Sequence, residues 1–403
     1  MLICWDRLKS NRRLLALLRG VSVSFTMSGD SWTQTIVLSD GGVESSKSSP
    51  SLYCERVPAF ELIGSDACWR DLLRSDPPPG WQSVVHLANI GQLTLRGDAR
   101  EFYRHLHVVS AVVEALRDRS EVASTSPPSL EAHGRYHRVA STLGEADVYV
   151  ERVGEGSPIL AFSTAGGTVR QWHGLVRDTE LTGEYELITV DLPWHGLSSP
   201  IHGATIGEWD LCPRSYSQFM GAVAECLGLK NSILLGVSMA GAAVVQTIAS
   251  FPSQFRGAVA CQVGTRVSGR SSPLLRATDV SQATLVPEWT YGLMSPLSPA
   301  RYRDSVWWDY SSGGHGLYAS DIDSYELWDF DSISDLLDED SPHIAILSGC
   351  FDTSVPPSAS RKLADLIPNS SFELMPDLGH FPHSENPPAF YPYLRRALKR
   401  VTQ

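Results

Sequence analysis

The sequence GVSMAG at 236–241 is the most informative pattern in the longer, C-terminal part of this chain. It follows the short apolar run SILLG at 232–236 and precedes the apolar stretch AGAAVVQTIAS at 240–250. The run is typical of a buried strand and the stretch of a buried helix, so that Ser238 is predicted to lie in the tight turn between them.

The turn has chemical consequences for its central serine. A tight strand-to-helix turn needs small residues two positions on either side, and Gly236 and Ala240 meet that need, although glycine is more common at the later position. The turn holds the hydroxyl of Ser238 clear of the sheet. It also directs the backbone N–H of Met239 to the place where an oxyanion would form, next to the positive end of a helix. We therefore predict Ser238 as a nucleophile and Met239 as an oxyanion-hole donor.

A base and an acid follow later in the chain. A serine hydroxyl needs an adjacent base, and His380 lies on the loop PDLGHFP at 376–382, directly after a predicted strand. Asp352 ends the stretch LSGCFD at 347–352, where a buried strand stops, and a carboxylate there can orient an imidazole. The competing carboxylates lack this strand-end position: Asp335, Asp338, Asp340, Asp365 and Asp377. We predict Asp352 as the acid and His380 as the base.

Short apolar runs alternate with helical segments from residue 135 onward, which predicts an α/β fold with a mostly parallel sheet flanked by helices. The predicted buried strands lie at 159–162, 186–190, 232–235, 257–261 and 344–347. The stretch 267–341 has no clean strand and many aromatic residues, and an insertion of this size is typical of a cap over a site. We expect this cap to be mainly helical.

The N-terminal part reads as a separate small domain. Alternating strands, amphipathic helices and a polar linker divide the chain into four predicted parts. These parts are a basic segment at 1–20, a small α+β domain at 21–118, a linker at 119–134 and a larger α/β domain at 135–403, which contains the expected cap.

The composition argues against several classes of protein. A formal net charge of -12 argues against nucleic-acid binding, which needs Lys and Arg to neutralise phosphates. The seven cysteines are scattered without C-x-x-C spacing, which indicates reduced thiols and neither a disulfide framework nor a zinc site. We predict no metal, no cofactor and a small-molecule substrate as the main partner. Without an apolar run of about 18 residues or a signal-peptide core, we expect a cytoplasmic protein without stable membrane insertion.

Residues 135–400 resemble the α/β-hydrolase superfamily, in which nucleophile, acid and base follow one another in this chain order. The stretch DLPWHGLS at 191–198 is similar to the family's D-x-P-G-H-G-x-S loop, with Trp194 where glycine is usual. The resemblance implies that His195 is structural.

The resemblance also implies a second oxyanion-hole donor just after the strand ILAF at 159–162. The residues there are STAGG at 163–167, so that the N–H of Ala165, or alternatively that of Gly166, would be the donor. Thr164 would add a side-chain contact.

Part of the N-terminal domain, at 59–116, is similar to sterol-carrier-like domains. The similarity rests on AFELIGSDACWRDLL at 59–73 and PPPGWQSVVHLANIGQLTLRGD at 77–98. It implies either a lipid held in an apolar tunnel or a scaffolding role, including a possible homodimer formed through this domain.

We expect a serine hydrolase that cleaves an ester or lactone of a fairly large, apolar or aromatic substrate through an acyl-enzyme. Candidate substrate contacts are Thr164, Trp289, Trp307, His315, Tyr318, Tyr325 and Trp328. Simple packing of the cap explains most of these aromatic residues equally well. Two alternatives remain: a carbon–carbon bond hydrolase that uses the same three residues, and a non-catalytic binding or scaffold protein of hydrolase fold. An acid would be needed in place of Ser238 for an epoxide hydrolase or dehalogenase.

Overall fold

The computed structural model describes residues 3–39, 42–45, 58–117, 129–205 and 207–403. The chain forms two compact units, one of Met1–Val122 with Ala277–Gly292 and one of Ala123–Arg276 with Leu293–Gln403. The predicted linker at 119–134 lies outside the described residues as far as residue 128. In the described ranges, no helix is both long and apolar enough to cross a membrane.

The N-terminal unit is built around a five-stranded sheet with the order β3-β2-β1-β4-β5. Its strands are β1 Val23–Ser28, β2 Thr33–Ser39, β3 Gly42–Ser45, β4 Phe60–Gly64 and β5 Leu93–Gly97. β1 and β4 are parallel, and the other neighbours are antiparallel. Its helices are Trp5–Ser10, Arg12–Leu17, Asp66–Leu72, Val84–Asn89, Ala99–Arg104 and Leu106–Leu116.

The helix Gln282–Tyr291 belongs to this N-terminal unit, although the strands on either side of it in the sequence belong to the other unit. It packs against the helix Leu106–Leu116, and its buried Glu288 accepts a hydrogen bond from the guanidinium of Arg13 at 3.0 Å. Residues 267–341, expected to be one cap, are therefore divided between the two units.

The second unit contains a mixed sheet of eight strands with the order β13-β12-β11-β10-β8-β9-β7-β6. Its strands are β6 His133–Ser141, β7 Gly144–Val153, β8 Ser157–Phe162, β9 Tyr185–Val190, β10 Ser232–Val237, β11 Phe255–Cys261, β12 Ile344–Gly349 and β13 Ser370–Met375. The six strands from β8 to β13 run parallel, and β7 and β6 extend the sheet in antiparallel fashion. The parallel strands are buried on both faces because helices flank the sheet.

Helices of this unit flank the sheet and fill the segment between β11 and β12. They are Thr179–Glu184, Pro213–Cys226, Met239–Ser250, Ala300–Ser311, Leu317–Glu326, Pro357–Leu366, Pro382–Glu385 and Pro387–Thr402. The apolar face of Pro387–Thr402 packs on the sheet through residues such as Leu394 and Leu398, against Val259 and Leu347. Ala300–Ser311 and Leu317–Glu326 lie between β11 and β12 in the sequence and supply the side chains that reach the site.

Candidate active site

The site lies at the carboxyl edge of the parallel strands. β8 and β10 are neighbours, and the chain continues from β8 to β9 on one side of this pair and from β10 to β11 on the other. Ligands of open α/β sheets bind in the crevice at such a point of reversal. The loops that follow β8, β10, β12 and β13 carry the predicted site residues.

Ser238 stands in the strained turn that the sequence predicts. Its backbone has φ 60° and ψ -120°, between the end of β10 and the start of a helix. A Cβ at Gly236 would lie 2.2 Å from the carbonyl oxygen of Ala240, so that only glycine fits there. A Cβ at Gly241 would lie 2.6 Å from the carbonyl oxygen of Cys261. The second glycine of this turn is therefore required by the neighbouring strand, and alanine is accommodated at 240.

Ser238, His380 and Asp352 form a continuous hydrogen-bonded chain. His380 Nε2 lies 2.9 Å from Ser238 Oγ, and His380 Nδ1 lies 2.7 Å from Asp352 Oδ2. The other carboxylate oxygen of Asp352 accepts backbone N–H bonds from Ser354 at 2.7 Å and Val355 at 2.9 Å. Because a carboxylate only accepts, Nδ1 carries the imidazole proton and Nε2 can accept from the serine hydroxyl. This is the arrangement that a general base needs.

Two backbone N–H groups near Ser238 have no acceptor among the described residues, namely those of Ala165 and Met239. The alternative donor, Gly166, differs: its N–H donates to Asp321 Oδ2 at 2.7 Å. Ala165 lines the same pocket as Ser238. The geometry therefore favours Ala165 over Gly166 as the second donor.

Gln262 links the loops that carry the acid and the base, and it is not among the site residues predicted from the sequence. This buried residue follows β11 with φ 56°. Its Oε1 accepts from the backbone N–H of Gly349 at 3.0 Å, and its Nε2 donates to the carbonyl of Gly379 at 2.5 Å. A polar residue immediately after an apolar strand is the sequence signal that could have identified it.

Glu385 accepts hydrogen bonds from the loop that carries His380 and from a neighbouring segment. It is fully buried and accepts backbone N–H bonds from Gly379 and, at 3.3 Å, from Ser295. The hydroxyl of Ser298 donates to it as well, at 3.3 Å. Burial raises the pKa of Glu385 to about 7, against the opposing effect of these hydrogen bonds.

A pocket with an empty volume of about 240 Å³, its opening included, lies in front of Ser238 and His380. Most of its polar lining consists of hydroxyl groups, from Thr164, Tyr310, Tyr318, Tyr325 and Ser354. Burial raises the pKa of the Tyr325 phenol, while a hydrogen bond with Ser238 acts in the opposite direction. Three predicted substrate contacts, Thr164, Tyr318 and Tyr325, are thus brought to the nucleophile.

The other predicted contacts do not line this pocket: Trp289, Trp307, His315 and Trp328. Trp289 belongs to the N-terminal unit, where its ring stacks on Tyr103 with 6.1 Å between centroids. Trp328 is buried and donates its indole N–H to the carbonyl of Gly264 at 2.8 Å, a packing role. His315 is exposed, and Trp307 is half-buried on its helix.

In the 191–198 loop, Trp194 has the backbone conformation expected of the glycine that is usual at this position. Trp194 adopts φ 71°, in the left-handed region that favours glycine. His195 is buried, with Nδ1 at 2.9 Å from the carbonyl of Pro193 and Nε2 at 2.9 Å from Asp321 Oδ2. His195 therefore has structural partners and no contact with Ser238.

Comparisons with known proteins agree with this architecture. Residues 156–392 match the sequence profile of the Alpha/beta hydrolase family. Similar solved structures include a thermophilic esterase from Thermogutta terrifontis, with 20% identity, a TM-score of 0.56, and coverage of 67% of this chain and 100% of the esterase. The enol-lactonase from Burkholderia xenovorans LB400 has 17% identity, a TM-score of 0.55, and coverage of 65% and 99%. A hydrolase from Pseudomonas aeruginosa PA01 has 16% identity, a TM-score of 0.56, and coverage of 65% and 98%.

No curated protein is a significant match to the chain in sequence. The solved structures nevertheless share its fold, and the predicted fold class is confirmed: an α/β-hydrolase fold with a mixed sheet flanked by helices, preceded by a small β-rich domain. Because the family profile spans more than half of its residues, this chain belongs to the Alpha/beta hydrolase family.

Proposed function

We propose that this protein is a serine hydrolase that cleaves an ester or lactone through an acyl-enzyme at Ser238. The observation that carries the proposal is the buried chain from Ser238 Oγ through His380 to Asp352, with distances of 2.9 and 2.7 Å. This geometry supports Ser238 as the nucleophile and His380 as the general base and acid. It supports Asp352 as the residue that orients the imidazole.

In the first step, His380 Nε2 takes the hydroxyl proton while Ser238 Oγ bonds to the carbonyl carbon. The carbonyl oxygen becomes an oxyanion that accepts hydrogen bonds from the N–H groups of Ala165 and Met239. Asp352 stabilises the imidazolium without taking its proton.

In the second step, the intermediate collapses and the bond to the alkoxy oxygen breaks. His380 gives its proton to that oxygen, which leaves as an alcohol or, from a lactone, stays attached to the opened ring. Water then loses a proton to His380 and attacks the acyl carbon, and the proton returns to Ser238 Oγ as the carboxylic acid leaves.

The pocket supports a short acyl group. Its empty volume of about 240 Å³ includes open solvent, so that the space enclosed beside Ser238 is smaller than this figure. The tyrosines at 310, 318 and 325 occupy space that a bulky acyl group would need. A fairly large, aromatic substrate, as expected from the sequence, would have to place its alcohol part beyond this pocket.

The test combines turnover with covalent labelling. Wild type, Ser238→Ala and the control Ser250→Ala, at the exposed end of the same helix, are compared on short p-nitrophenyl esters. We expect a loss of at least about 1,000-fold in kcat for Ser238→Ala only. A fluorophosphonate should add one equivalent to a peptide that contains Ser238. Equal turnover in wild type and Ser238→Ala would overturn the assignment.

Labelling of Ser238 without ester or lactone turnover would direct attention to carbon–carbon bond substrates, which use the same three residues. An unlabelled protein without turnover would instead favour the non-catalytic alternative. The likeness of the N-terminal unit to sterol-carrier-like domains, and a homodimer formed through it, stay predictions.

A further inference from the structure

Arg270 is the one side chain with a permanent charge among the described residues that line the pocket of Ser238. It is half-buried, and its Nη2 lies 3.5 Å from the hydroxyl of Tyr318. Among the described residues, no carboxylate oxygen lies within 4.0 Å of its guanidinium. Within the described part of the chain, the pocket therefore contains an arginine without a carboxylate counter-ion.

Two arginines close to Arg270 in the sequence do form ion pairs with carboxylates. Arg266 forms ion pairs of 2.9 and 2.8 Å with Asp329 and Asp331. Arg276 pairs with Asp323 at 2.7 Å. Arg266 and Arg276 do not line the pocket, so that among these three arginines the one that lines it is the one without a carboxylate partner among the described residues.

The backbone around Arg270 is fixed by hydrogen bonds to the side chain of Glu326. Glu326 Oε1 accepts the N–H of Arg270 at 2.5 Å and the N–H of Ser271 at 2.8 Å. This acid is used by the main chain, and the side chain of Arg270 reaches the pocket lining instead. These hydrogen bonds fix the backbone at 270–271, while the guanidinium of Arg270 can interact with a bound ligand.

A second unsatisfied group lies in the same pocket. The hydroxyl of Ser354 is buried without a hydrogen-bond partner among the described residues, although Ser354 lines the pocket. A buried polar atom without a partner is costly unless a ligand or water satisfies it. A guanidinium and hydroxyl donors in one small pocket suit an oxygen-rich anion.

We propose that Arg270 binds a carboxylate on the acyl side of the substrate, so that the enzyme prefers monoesters or lactones of dicarboxylic acids. The inference rests on the proposed function because it concerns the substrate of the same site. A single guanidinium matches a monoanion, whereas a phosphate dianion usually recruits more than one cationic group.

The first experiment measures kcat/KM for mono-p-nitrophenyl esters of succinate, glutarate and adipate. Each is paired with the ester in which an amide replaces the free carboxylate. We expect wild type to prefer one or more carboxylate esters by about 10- to 100-fold, mainly through KM. Arg270→Gln should abolish this ratio, and Arg270→Lys should restore part of it because the charge returns without the planar fork. Arg276→Gln, the matched surface control, should keep the wild-type ratio.

The second experiment does not depend on turnover. Calorimetry compares the binding of succinate, glutarate and adipate, and of their monoamides, to Ser238→Ala and to the double variant Ser238→Ala/Arg270→Gln. Selective binding of a diacid to the single variant that is lost in the double variant supports the inference, even if no ester is cleaved and the proposed function fails. A wild type that hydrolyses both ester series equally, with no diacid binding in Ser238→Ala, would overturn the inference and leave the proposed function intact. Thermal unfolding confirms that each variant folds.

Discussion

The buried carboxylate of Asp321 accepts a hydrogen bond from the backbone N–H of Gly166, with 2.7 Å between Oδ2 and the nitrogen. The same carboxylate pairs with His195 Nε2 at 2.9 Å and accepts from Trp209 Nε1 at 2.8 Å. Asp321 lies on the helix Leu317–Glu326, which also supplies two tyrosines to the pocket. One carboxylate therefore joins the helix over the site to the loop that carries the proposed oxyanion donor.

Removal of this carboxylate should disturb the position of Ala165. We expect Asp321→Ala to lower kcat on p-nitrophenyl acetate by about 10- to 100-fold, since misplacement by about 1 Å is enough for such a loss. KM should change less, because the loop stabilises the transition state more than the bound ester. Asp323→Ala, at a half-buried position of the same helix, is the control. A stability loss without a change in kcat would reduce Asp321 to a structural residue.

The strand-end positions of the site could be predicted from the sequence. Ser238 and Asp352 follow apolar strands and His380 follows the more polar strand β13, and parallel strands place their carboxyl ends at one edge of a sheet. Local patterns are therefore sufficient to bring these three residues together. The backbone conformation of Trp194 could not be predicted in the same way, because a tryptophan in the left-handed region is uncommon and the sequence alone does not show what stabilises it.

The remaining parts of the site depend on contacts between residues that are distant in the sequence. The choice between Ala165 and Gly166 is made by Asp321, which is 155 residues from Gly166. Arg270 lies in a segment without strand or helix periodicity, so that no pattern predicts where its side chain points. Trp289 was predicted at the site because it lies in the aromatic-rich stretch 267–341, whereas its own helix packs in the N-terminal unit.

Gly236→Ala should destabilise the fold, because the new Cβ would lie 2.2 Å from the carbonyl oxygen of Ala240 and backbone would have to move. We expect a loss of about 3 kcal/mol or more in the free energy of unfolding, together with loss of activity. Gly183→Ala is the matched control, since its helical position is exposed. A Cβ added there would have no heavy atom within 4 Å apart from its chain neighbours and the backbone of its own helix. It should be neutral or stabilise by up to about 1 kcal/mol. Urea unfolding of both variants decides the point, and similar stabilities would refute the close-approach explanation.

Asp352→Asn should lower kcat by about 1,000- to 10,000-fold with the fold retained. An amide that donates toward His380 favours the tautomer with its proton on Nε2, which then cannot accept from Ser238. Asp377→Asn, three residues before His380 and exposed, should keep wild-type kcat. Activity of Asp352→Asn close to that of wild type would show that another group orients the imidazole.

The buried carboxyl of Glu385 should make stability depend on pH. Its pKa is raised by burial from 4.5 to about 7. Below about pH 4.5 the carboxyl is protonated in both the folded and the unfolded chain. As pH rises toward 7, the unfolded chain releases the proton while the folded chain retains it, so that stability falls over this window and is constant above it. The raised pKa corresponds to a loss on the order of 3 kcal/mol.

Glu385→Gln should remove this dependence, because glutamine keeps an acceptor for the N–H of Gly379 and does not ionise. Urea unfolding at pH 5, 6, 7 and 8 gives the free energy of unfolding for each protein. We expect wild type to lose roughly 2 to 3 kcal/mol more than Glu385→Gln between pH 5 and 8. Glu180→Gln, at an exposed helix position, should follow wild type and thereby control for the many other groups that titrate. Parallel curves for wild type and Glu385→Gln would mean that Glu385 is ionised in the folded protein at pH 5, and that its contacts with Gly379 and Ser295 outweigh its burial.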